Sequence, residues 1–115
     1  MQTTTTYSFG DIVLVPFPFT DQTSHKKRPA TIISTSAYNA AKPDVVIMAV
    51  TGRVESVQTL GECSIGDWRQ AGLLKPSVVK PVITTIEKGL VIKKLGQLQP
   101  ADQDQLRQIV KTIIG

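Results

Sequence analysis

The sequence predicts a mainly β (α+β) domain, a small β-barrel or sandwich closed by one amphipathic helix. Three observations carry this reading. Short apolar, β-branched runs recur about six times between stretches rich in Gly, Pro, Asn and Asp. The last sixteen residues switch to a helical period, with Leu106, Ile109, Val110 and Ile113 at i, i+3, i+4 and i+7. At 115 residues the chain is long enough for one hydrophobic core and too short for two. We therefore expect a flexible segment over 1–9 and a single domain over 10–115.

The elements follow in order. "GDIVLVPFPF" opens on Gly10 and Asp11, runs through Ile12, Val13, Leu14 and Val15, and reads as a buried strand ended by prolines, which cannot donate to a ladder. A polar loop over 20–27 leads into a second strand, "PATIIS" over 29–34. "TSAYNAAKPD" has room for one helical turn with Ser36 as its cap. "DVVIMAV" over 44–50 is a continuous apolar run that suits a central strand. Gly52, Gly61, Gly66 and Gly72 break the pattern, leaving loops around a short strand near 59–63. Further strands are expected over 72–79, 82–87 and 90–95. In the closing helix, Pro100 suits the first turn, Asp102 and Asp104 lie near its positive end, and Arg107 and Lys111 come later.

Composition narrows the function classes. A 41% hydrophobic content fits a globular chain, and no run approaches the roughly 18 apolar residues of a membrane span. Residues 1–8, "MQTTTTYS", have neither a basic nor an apolar region of a signal peptide. One cysteine, Cys63, excludes an internal disulfide and suits a reducing cytoplasm. With one His and one Cys, a protein-built transition-metal site is not expected, and no cofactor motif is present. Thirteen Lys and Arg against nine Asp and Glu give a net charge of +4, compatible with nucleic acid or an acidic partner.

What chemistry the chain carries must then come from basic and hydroxyl residues at strand ends. His25, Lys26, Lys27 and Arg28 cluster at the mouth of the second strand, and Thr51 follows the third apolar run at once. If those strands are antiparallel neighbours, Arg28 and Thr51 meet. A guanidinium offers a forked, permanent charge to phosphate oxygens, and a hydroxyl adds one more positioned hydrogen bond. The other reading pairs Arg28 with Asp11 or Asp21 and leaves Thr51 to start a turn. Lys75, Ser77 and Lys80 would share a sheet face if their strand is regular, either lining a nucleic-acid groove or facing solvent. Arg53 is placed for a second phosphate contact. Trp68 can stack on a base or pack against the domain, and Cys63 reads as a small buried residue.

"GDIVLVPFPFTD", "KKRPATIIS", "AVTGR", "GLLKPSVVK" and "KKLGQL" together resemble, in register from Gly10 to the C-terminal helix, the PemK/MazF-like family of toxins from type II toxin–antitoxin pairs. The resemblance implies an SH3-like β-barrel with a C-terminal helix, acting as a cytoplasmic homodimer. It also implies a metal-independent, sequence-specific endoribonuclease that cuts single-stranded RNA to 2′,3′-cyclic phosphate and 5′-hydroxyl ends, restrained by a cognate antitoxin protein. By position, Arg28 matches the family's catalytic arginine and Thr51 its phosphate-holding threonine; Lys26, Lys27, Arg53, Lys75, Ser77 and Lys80 are RNA-binding candidates. Some members use an acid just before the 72–79 segment as the base, where this chain has Leu74 and Lys75. His25 could take that role, its ordinary pKa near 6.5 suiting proton transfer, or it could be one more polar loop residue. Two other functions stay open on the same barrel: a non-catalytic poison of DNA gyrase, and a silent RNA- or protein-binding module.

Overall fold

The computed structural model describes residues 5–16, 26–52 and 59–115. Six strands among them, β1 (Asp11–Pro16), β2 (Lys27–Ile32), β3 (Asp44–Thr51), β4 (Cys63–Ser64), β5 (Val78–Glu87) and β6 (Lys93–Gln97), form one antiparallel sheet. Their order is β4-β5-β3-β2-β1-β6. A short helix, α1 (Ser36–Ala41), joins β2 to β3, and α2 (Pro100–Ile114) follows β6.

Apolar residues on both faces explain why the strands read as continuous runs rather than alternating ones. Ile12, Met48, Val50 and Val79 pack in one cluster with Leu106 of α2, flanked by Ile109, Val110 and Ile113. Val13, Val15, Ala30, Ile32, Val45 and Ile47 form the second cluster, joined by Tyr7. Two register shifts, at Ile12/Val13 against β6 and at Met48/Val50 against β5, add local twist. The sheet curls into a half-barrel with α2 along one side.

Several boundaries differ from the sequence expectation, each for a local reason. The strands expected over 72–79 and 82–87 are a single one, β5, preceded by an extended stretch. Pro81 is tolerated inside it because it falls at the register shift, between the pairs Val50↔Val79 and Met48↔Ile83. The strand expected over 90–95 begins later, at Lys93, after a 3₁₀ turn at Lys88–Leu90. The one near 59–63 shrinks to Cys63–Ser64. Thr35, not Ser36, caps α1: its hydroxyl accepts from the Tyr38 N–H at 3.2 Å, while Ser36 is the first helical residue.

Two contacts outside the sheet fix the segment between β4 and β5. Asp102, buried in the first turn of α2, accepts the backbone N–H groups of Gly66 and Asp67, each at 2.9 Å. Gly72, at φ +90°, lies so close to the β6 backbone that a Cβ there would meet the Leu95 carbonyl oxygen at 2.2 Å. Both bonds and the close approach hold residues 66–77 against the half-barrel.

Candidate functional site

A cleft of about 500 Å³ opens where the ends of β1, β2 and β3 meet the stretch before β5. β2 and β3 pair antiparallel through Ala30↔Ala49. Arg28 and Thr51 each lie two residues beyond that last pair on the two strands, and both line the cleft. The two strands are thus antiparallel neighbours, and the cleft is where their ends open. Asp11, the alternative partner for Arg28, is buried and pairs instead with Lys94 at 3.1 Å. Asp21 lies outside the described residues.

Lys27, Lys75 and Lys93 complete a ring of cations around the same cleft. Leu14, Val50, Leu73 and Leu95 form its apolar floor, and no acidic residue is among the described residues that line it. A cavity with several positive charges on low-dielectric walls concentrates anions. The arrangement can hold a phosphodiester between Arg28 and Thr51 and present further donors to its non-bridging oxygens.

The remaining sequence candidates divide. Ser77 lines the cleft but is buried, and its hydroxyl donates to the Lys75 carbonyl at 2.8 Å, so it shapes the turn that carries Lys75. Lys80 is the correction: it is not among the cleft-lining residues, and its ammonium engages Glu62. Residues 75–77 precede the strand, so the alternation that would have put Lys75, Ser77 and Lys80 on one face does not apply. Lys26 is exposed immediately before β2, beside rather than in the cleft lining. His25 and Arg53 lie outside the described residues. Trp68 is half-buried against the core beneath the Arg69 guanidinium, 4.9 Å from its ring centre, which is the packing role.

Lys93 went unnoticed in the sequence because nothing local says that β6 returns beside β1. The paired lysines at 93 and 94 were the available signal. They split by alternation, Lys93 into the cleft and Lys94 onto Asp11.

The β4 edge of the sheet has different electrostatics. The Lys80 ammonium, helped by the Thr59 N–H, holds the Glu62 carboxyl below its ordinary 4.5. Burial, with the Asp102 charge behind it, pushes the Cys63 thiol up, and that sulfur faces Gln105 Oε1 at 3.6 Å.

A curled antiparallel half-barrel with a C-terminal helix is the fold of the MazF-type toxins. An endoribonuclease in complex with its cognate antitoxin from a mycobacterial species superposes with a TM-score of 0.75 at 20% identity, covering 94% of each chain. MazF from Deinococcus radiodurans gives 0.74 at 17% identity, over 97% of this chain and 99% of that one. The Mycobacterium tuberculosis toxin MazF-mt6 gives 0.71 at 19%, over 89% and 93%. At these identities the likeness is one of fold. A search of curated proteins gives no match. The family model for the PemK-like, MazF-like toxin of type II toxin–antitoxin systems matches residues 8–114, and the chain belongs to that family.

Proposed function

We propose that this toxin is a sequence-specific endoribonuclease that cleaves single-stranded RNA without a metal ion. One observation carries the reading: Arg28 and Thr51, on neighbouring antiparallel strands, line one cleft together with Lys27, Lys75 and Lys93. The 2′-hydroxyl oxygen of the substrate attacks the adjacent phosphorus, the bond to the 5′ oxygen breaks, and a 2′,3′-cyclic phosphate is left. Arg28 stabilises the charge that builds on the phosphoryl oxygens, and Thr51 holds one of them. Fixed lysines supply the neutralisation a metal would otherwise give, and they repel a divalent cation. We assign the proton of the 2′-hydroxyl to His25, three residues before Arg28.

Leu74, 97% exposed at the cleft rim, offers an apolar surface to an unstacked base. The partner that restrains the enzyme is assigned by the same reading to a cognate antitoxin, the class of protein bound to the mycobacterial endoribonuclease. The active species is proposed to be a homodimer, and light scattering at micromolar concentration is expected to give twice the 12.5 kDa chain mass.

The test is incubation of the purified protein with mixed-sequence single-stranded RNA in EDTA, with product ends identified by mass. Cyclic-phosphate fragments are expected, and they should vanish with Arg28→Ala while the circular dichroism spectrum stays unchanged. Intact RNA from a folded wild-type sample would overturn the reading in favour of a binding-only toxin.

A further inference from the structure

Gly52 occupies the bend directly after Thr51. A Cβ built on it would fall 2.1 Å from Lys75 Cε and 2.9 Å from both Lys75 Cδ and Nζ. The lysine thus lies through a space that any other residue at position 52 would fill. Gly52 is not among the glycines with a left-handed φ, so the need here is for volume rather than for backbone freedom.

Lysine side chains carry rotamer entropy that a solvated surface position does nothing to restrain. Lys75 is an exposed residue whose backbone is tied and whose stem has a defined course. Its backbone is tied by the buried Ser77 hydroxyl at 2.8 Å, and the Ser77 carbonyl accepts the Ile65 N–H at 3.0 Å. Its stem then crosses the glycine and brings the ammonium beside Thr51, in the cleft that Arg28 also lines. Among the described residues no carboxylate pairs with Lys75.

We propose that Lys75 is a catalytic residue of the cleft and that Gly52 is the positioning residue that admits its ammonium to the reacting phosphate. The inference rests on the endoribonuclease reading and says which of the three cleft lysines acts on the group being transformed. As the 2′ oxygen bonds to phosphorus and the electron pair of the breaking bond passes to the 5′ oxygen, a Lys75 N–H donates to a non-bridging oxygen. No proton leaves Lys75. The 2′-hydroxyl proton goes to the base, and the departing 5′ oxygen is protonated by water.

The experiment is a double-mutant cycle on Gly52→Ala and Lys75→Ala, read by single-turnover cleavage of mixed-sequence single-stranded RNA. Affinity for the same RNA carrying 2′-O-methyl groups, which cannot react, is measured in parallel. Lys75→Ala is expected to lower the cleavage rate by about 10²–10³-fold, the usual loss for one donor aimed at developing charge, with affinity falling less than about tenfold. Gly52→Ala should lower the rate at least about tenfold by displacing the ammonium, and should cost nothing further once Lys75 is gone. A wild-type rate in Lys75→Ala with only affinity lost would make Lys75 an ordinary phosphate contact and overturn the proposal. An equal loss from Gly52→Ala with or without Lys75 would overturn it too, because Gly52 would then act through Thr51. Failure of the underlying reading looks different: the wild type itself would leave RNA intact.

Discussion

Two regions of the curled sheet use the same residue types to opposite effect. At the β4–α2 edge, Lys80 engages Glu62, and the Asp102 carboxylate is filled by two backbone N–H groups. At the β1–β2–β3 mouth, Lys27, Arg28, Lys75 and Lys93 line a cleft to which the described residues contribute no carboxylate. Charges neutralised within the fold hold elements together. Charges gathered without acids make a field for an anion, and their mutual repulsion is a cost borne by the rest of the molecule. The contrast teaches that net charge alone, +4 over the chain, says less than where the acids of the described residues lie.

The contrast can be broken most severely at Asp102. Asp102→Ala removes the shared acceptor of two part-buried N–H groups and should lower the unfolding free energy by about 2 kcal/mol in urea denaturation, given what hydrogen bonds to a charged group contribute. Because residues 66–77 reach the cleft, cleavage should fall with it. In the cleft, Lys93→Gln should weaken RNA binding several-fold and reduce the slope of log affinity against log salt by about 0.7. Its unfolding free energy should stay within about 0.5 kcal/mol of the wild type, as expected for an exposed lysine with no ion pair among the described residues.

A smaller effect is expected from Glu62→Gln, and its sign is fixed by the depressed carboxyl. The Lys80 contact favours the ionised form, so its stabilisation is present above the ordinary pKa of 4.5 and is lost as pH falls through the lower folded value. Thermal melts between pH 3 and 7 should show the wild-type advantage over Glu62→Gln only at the upper end. Least of all, Cys63 should alkylate more slowly than a free thiol at pH 8, since burial raises its pKa and hides the sulfur.

Legibility in the sequence followed the range of the interactions. Helix α2 was plain, because its stripe and its charges lie within one continuous segment, and the structure adds only that Asp102 reaches outside the helix. Arg28 and Thr51 were readable as a pair because antiparallel neighbours joined by a short connection bring their outer ends together. The stretch before β5 was misread as a strand: its apolar spacing is strand-like, but Gly72 is held at positive φ against Leu95, a contact between residues 23 apart. Lys75 crossing Gly52, and Lys93 joining the cleft, likewise depend on distant backbone that no local pattern encodes.

The cleft draws its walls from Leu14 at one end of the chain to Leu95 near the other. During synthesis the first strand leaves the ribosome long before the last, and β1 cannot find its β6 neighbour until residue 97 has emerged. Only then can α2 follow and Asp102 fasten the intervening loop. The cleft is therefore a late product of folding: its walls become one surface only after Lys93–Gln97 has joined β1.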